Sequence, residues 1–123
     1  MFILTYSLFG SSKLFERIQA ELDWGKASTL ALCKSYNETL PTYERLEKMF
    51  VSNPYFLYNY AAVLQEMKQY TESLEVALKC RQYWADYDLE LIIGENYQQL
   101  NKPELAEKYY NSASTVSYTH LRA

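Results

Sequence analysis

From Leu14 onward the apolar positions fall three and four residues apart: Leu14, Phe15, Ile18 and Leu22, with Glu16, Arg17, Gln19 and Glu21 between them. This is the spacing of one face of an α-helix, and it predicts an amphipathic linker helix over residues 11–22. The preceding run, Met1 to Phe9, is almost wholly apolar and ends at Gly10-Ser11-Ser12-Lys13. As a helix it reaches roughly 14 Å, about half of a ~30 Å hydrocarbon core, so this stub (residues 1–10) does not span a bilayer alone. A cleaved signal peptide needs basic residues ahead of the apolar run, and none precedes Lys13. Two readings fit: a terminal helix packed on the domain, or the end of a transmembrane helix begun upstream.

Further along, small residues recur at Ala27, Ala61 and Gly94, at intervals of 34 and then 33 residues. Other columns keep the same frame. Leu30, Leu64 and Tyr97 are large; Thr39, Ser73 and Ala106 are small. Tyr36, Tyr70 and Pro103 stand where a turn between helices is expected, followed by Tyr43, Ala77 and Tyr110, then Leu46, Cys80 and Ala113. A helical hairpin explains such columns, because two antiparallel helices approach to ~8–10 Å only where a small side chain opposes a large one. Ala27, Ala61 and Gly94 are the expected close-contact points of first helices, and Thr39, Ser73 and Ala106 their counterparts in second helices. Tyr97 and Tyr110 complete the packing set.

Local signals divide the chain the same way. Asn53-Pro54 offers an N-cap followed by proline at the first helical position, Asp86 precedes the run Leu89, Leu91, Ile92, Ile93, and Asn101-Lys102-Pro103-Glu104 restarts a helix. Pro41 fits if the second helix of its pair begins near Thr39 or Leu40, with the proline in the first turn.

The pattern Gly94, Tyr97, Ala106, Tyr110, Ala113 resembles the tetratricopeptide repeat, a helix-turn-helix unit. The resemblance implies an all-α fold of tetratricopeptide-like hairpins forming a short right-handed α-solenoid, with repeats at 23–53, 54–86 and 87–115. It also implies that the first helix of each pair lines a concave, partner-binding groove. The groove positions are Trp24 and Ser28 in the first repeat, Tyr55, Tyr58, Ala62 and Gln65 in the second, and Asp88, Leu91, Glu95 and Gln98 in the third. Such a groove is aromatic at one end and acidic at the other. Family members that clamp carboxylates use Lys, Arg and Asn there, and no basic residue stands at these positions.

The whole chain also resembles the C-terminal tail of Bacteroidales membrane proteins of the O-antigen ligase or polymerase type, through the apolar stub, the linker helix with Trp24 and the Asn53-Pro54-Tyr55-Phe56-Leu57 junction. That parentage implies inner-membrane association through the stub alone, and places every catalytic loop of the family upstream; without it a cytoplasmic repeat adaptor is expected. The end of the chain, residues 116–123 with His120 and Arg122, resembles the translated sequencing-adapter tails of truncated metagenomic reading frames. A native frayed helix end is the alternative.

Composition narrows the chemistry. With 123 residues, 49% of them hydrophobic and 22% charged, the chain has the make-up of one small globular domain. Three Gly and three Pro against thirteen Tyr favour long helices. A net charge of −3 gives no basic field for nucleic acid. Cys33 and Cys80 lack any CxxC or Cys/His spacing, so neither a zinc site nor a disulfide framework is expected, and both fall on columns that read as inward-facing. The one histidine, His120, is near the end of the chain, so the body holds no obvious general base. No cofactor, metal or catalytic residue is expected. Two functions follow: a non-catalytic scaffold that binds a protein or peptide through the groove, or a structural module that self-associates through an uncapped last hairpin.

Overall fold

The computed structural model describes the backbone of residues 2–122 and the side chains of residues 10–116. The side chains of the apolar stub through Phe9, and of the adapter-like tail with His120 and Arg122, lie outside the described residues. Six helices follow in order: α1 (Phe2–Leu32), α2 (Tyr36–Leu46), α3 (Pro54–Glu66), α4 (Tyr70–Arg81), α5 (Tyr87–Gln99) and α6 (Pro103–Arg122). The architecture is all-α.

The chain forms two compact units, Met1–Leu46 and Glu47–Ala123. In the first, α1 pairs with α2. In the second, α3 packs on α4 and α5 on α6, and α5 also lies against α4 and α3. The division falls inside the span 23–53 rather than at its end.

Each pair turns in the same way, and the repeat frame fixes where. The second residue after the first helix has positive φ at Lys34 (62°), Lys68 (62°) and Asn101 (61°). One residue further on, the amide N–H of Ser35, Gln69 and Lys102 donates at 2.9 Å to the carbonyl of Leu30, Leu64 and Tyr97, the large-residue column. This is the six-to-one bond of a Schellman C-cap, which satisfies carbonyls that the helix end leaves without a partner. The second helices then begin at Tyr36, Tyr70 and Pro103, three positions of one column.

Helix starts follow the local chemistry. The Asn53 carboxamide accepts from the N–H groups of Tyr55 (3.0 Å) and Phe56 (3.2 Å), and Asp86 accepts from Asp88 N–H at 2.7 Å. In the second unit Phe50, Phe56, Leu57, Tyr60, Leu64, Val76, Ala77, Leu89 and Ile93 are buried. The Phe50 and Phe56 rings lie 5.2 Å apart, and Phe56 and Tyr60 lie 6.0 Å apart.

Three expectations need correction. Stub, linker and first repeat helix are one continuous helix, because Gly10-Ser11-Ser12 lowers helix propensity without removing a backbone donor. Pro41 lies inside α2, which starts at Tyr36, so it stands beyond the first turn and its ring nitrogen cannot bond the carbonyl of Asn37. Cys33 is exposed, because α1 ends at Leu32 and the thiol stands on the turn that follows; Cys80 is buried.

Candidate partner-binding face

The small-residue columns lie in the interior: Ala27, Ala61, Gly94, Thr39, Ser73 and Ala106 are all buried. Gly94 shows why smallness matters. A Cβ there would come within 2.7 Å of Tyr110 Cε1 and 2.8 Å of its Cδ1, so the α5/α6 pair closes ring against backbone. The Tyr110 hydroxyl donates to Gln98 Oε1 at 2.7 Å, which fixes the ring over the glycine.

A buried polar chain joins α3, α4 and α5. Gln65 Nε2 donates to Ile92 O and to Asn96 Oδ1, each at 3.1 Å; Asn96 Nδ2 donates to Ser73 Oγ at 2.8 Å; Ser73 Oγ donates to Ala61 O at 2.7 Å. Gln65 thus spends its amide on the helix contact. Thr39, the Ser73 counterpart, instead donates locally to Tyr36 O at 2.9 Å.

A second pin uses charge. The Glu90 carboxylate is fully buried, and Oε1 accepts from Arg81 Nε at 2.5 Å, while Oε2 meets no donor. The Arg81 guanidinium also lies 5.3 Å over the Tyr109 ring, which stacks on Tyr97 at 5.5 Å. Its hydrogen bond to Glu90 holds the Arg81 pKa above its ordinary value.

In the first unit Trp24 and Ser28 turn to Tyr43 of α2. Ser28 Oγ lies 3.2 Å from the Tyr43 hydroxyl, and the Trp24 side chain interacts with the same group. Burial raises the Tyr43 pKa. Asp23, held below the usual carboxylate range by its bond to Arg45, closes the pair at 3.0 Å.

The exposed chemistry of the second unit gathers where α3 and α5 begin. Tyr55 is 65% exposed, and its ring lies 5.6 Å from Trp84; Tyr58 meets Trp84 edge-on at 6.4 Å. Trp84 stands in the turn before α5, flanked by exposed Tyr83 and Tyr87. Burial first, then the fields of Asp88 and Asp86, push the Tyr58 hydroxyl pKa up. Aromatic and acidic residues therefore share one end of this face, where the sequence had put them at opposite ends.

Toward the other end of α3 and α5 is a cleft of about 460 Å³ lined by Gln65, Glu66, Lys68, Glu95, Gln98 and Tyr110 among others. Ala62 and Leu91 are half-buried between these regions in sequence, and Asp88 is exposed. So Tyr55 and Tyr58 meet at Trp84; Gln65, Glu95 and Gln98 meet at the cleft; Trp24 and Ser28 belong to the other unit.

Sequence reasoning missed Trp84, Asn96, Arg81 and Glu90. Trp84 had a visible signal, an aromatic pair Tyr83-Trp84 just ahead of a helix N-cap, on a connection where exposed rings are rarely core. Asn96 and Glu90 had none, since a polar residue inside an apolar run reads as the solvent face until its partners are placed. Among the described residues no group of three or more His, Cys, Asp or Glu is placed to hold a metal, and no helix is long and apolar enough to cross a membrane.

No family model matches the chain, and no curated protein matches it in sequence. Its fold is similar to two solved structures of MamA. MamA MSR-1 superposes with a TM-score of 0.77 at 12% identity, over 82% of this chain and 59% of that one. MamA AMB-1 superposes with a TM-score of 0.76 at 12% identity, over 81% and 60%. The chain spans about three fifths of the length of these structures. What the likeness establishes is the fold, an all-α, tetratricopeptide-like arrangement of helical hairpins.

Proposed function

We propose that the chain is a non-catalytic protein-interaction scaffold, and that the face carried by α3 and α5 holds a peptide segment of its partner. One observation carries the reading: exposed Tyr55 and Trp84 and half-buried Tyr58 form a ring cluster beside the carboxylates of Asp86 and Asp88. Exposed aromatic faces beside carboxylates attract a guanidinium or ammonium group by cation–π and charge interactions together. The fitting partner is an extended or helical segment that offers Lys or Arg to this cluster and an apolar side chain to Leu91. Gln65 is bound to Asn96 and Ile92, so α3 and α5 present this face as one rigid support.

The finer reading, a C-terminal region of a membrane protein of O-antigen or surface-polysaccharide assembly, rests on the sequence resemblance alone. Sequencing across both ends of the reading frame tests it. Upstream apolar segments support it, and their absence overturns it.

A displayed peptide library selected on the full chain tests the scaffold reading. Enriched peptides should carry Lys or Arg with aliphatic or aromatic residues, and Tyr55→Ala, Tyr58→Ala and Leu91→Ala should each weaken them about tenfold or more. Enriched peptides that bind all three variants as well as the parent would overturn the reading.

A further inference from the structure

Three large apolar residues of α1 stand exposed to solvent. Phe15 is 67% exposed, Ile18 49% and Leu22 56%. They lie on the far side of the helix from its contacts with α2. At ~100° per residue, Ala20, Asp23, Trp24 and Ala27 share the opposite side; both alanines are buried, Trp24 interacts with Tyr43, and Asp23 bonds Arg45.

The exposed side has the spacing of a coiled-coil seam. Phe15, Ile18, Leu22, Gly25, Thr29 and Leu32 alternate steps of three and four through the end of the helix, as a and d positions do. Every one of them is exposed. Gly25 has nothing within 4 Å of where a Cβ would stand, so a second backbone can approach closely there. Thr29 Oγ1 already donates to Gly25 O at 3.0 Å, which leaves its methyl group for packing.

In this register Glu21 occupies a g position and Lys26 the following e position. In a parallel two-stranded coiled coil, g of one helix faces the next e of its partner. A second copy of the same helix therefore sets Glu21 against Lys26 twice, once on each side of the seam. Both residues are exposed and lie outside the α2 contact. Charge complementarity of the seam with itself selects a second copy over an unrelated helix or a lipid surface.

We infer that the chain dimerises through a parallel coiled coil of α1, with Phe15, Ile18 and Leu22 as its apolar seam and Glu21–Lys26 pairs across it. This surface is distinct from the face of α3 and α5, so either function can fail without the other.

Sedimentation velocity of the full chain over a range of concentrations tests the inference. A monomer–dimer equilibrium is expected, and Ile18→Asp should abolish it with helicity unchanged. Glu21→Lys or Lys26→Glu alone should raise the dimer dissociation constant roughly three- to thirtyfold, and the two together should restore it. The double swap does not restore the Arg17–Glu21 pair within the helix (3.4 Å), so rescue reports the contact between copies. In a Cys33→Ser background, Leu32→Cys should form a disulfide-linked dimer, since two d positions meet only in the parallel arrangement. A monomer at every concentration, a dimer indifferent to Ile18→Asp, or single swaps that the double swap does not rescue would overturn it. So would Ile18-dependent binding to phosphatidylcholine vesicles by a chain that stays monomeric.

Discussion

At the scale of single residues, the two thiols differ most. Cys80 Sγ donates to Pro54 O at 3.2 Å, and burial, with a smaller push from Asp86, raises its pKa from 9.0 to about 11. Cys33 stands in the open on a turn. One equivalent of a thiol reagent should therefore react with the native chain at neutral pH, and a second only after unfolding. The sign of the pH dependence follows. The folded thiol is the weaker acid, so its contribution to stability is complete below about pH 9 and is lost as pH rises toward 11. Denaturant melts at pH 8, 9.5 and 11 should show this fall, and Cys80→Ser should flatten it. Gly94 gives a second residue-scale prediction. Gly94→Leu meets the Tyr110 ring and should cost about 1–3 kcal/mol, part of which Tyr110→Ala recovers in the same background, as chemical denaturation would read.

At the scale of helices and turns, the repeat was legible because packing and period agree. The small columns at Ala27, Ala61 and Gly94 mark close approach, and the column of Tyr36, Tyr70 and Pro103 marks where second helices begin. A turn was expected near that column, but its left-handed conformation was hidden. Its left-handed positions carry Lys34, Lys68 and Asn101 where glycine is the usual resident, so no glycine announced it. Lys68→Gly should therefore stabilise the chain by roughly 0.5–1 kcal/mol, in thermal or denaturant melts. Pro41 was misplaced for a related reason, since a proline on an exposed helix face gives no sign of how far back the helix starts. Pro41→Ala restores a donor to α2 and should stabilise the first unit by about 1–3 kcal/mol. The polar pins were illegible, because Asn96 and Glu90 show their role only through Ser73, Gln65 and Arg81. Arg81→Met should cost on the order of 3 kcal/mol by leaving the Glu90 carboxylate buried and unpaired, and Arg81→Met with Glu90→Leu should recover most of it.

For the whole molecule, two compact units divide the work. The second, from Glu47 onward, contains two complete hairpins with their own core and the polar chain through Asn96. Its exposed rings and carboxylates form the proposed partner face, while the first unit presents the α1 seam. The candidate site was half legible. Tyr55 and Tyr58 stood out from their place at the start of a first helix, but Trp84, which joins them, lies on a turn outside the repeat columns. Trp24 read as a groove residue because it occupies the equivalent helix; its side chain instead turns to Tyr43 within the hairpin.

The partner face is the central claim, and backbone amide NMR of the full chain, titrated with a peptide from the library selection, addresses it most directly. The account predicts shifts that cluster on α3 and α5 around Tyr55, Tyr58, Asp88 and Leu91 and on the Trp84 turn, and that vanish for Tyr58→Ala. Shifts confined to α4 and the outer side of α6, with those residues unmoved, would contradict it.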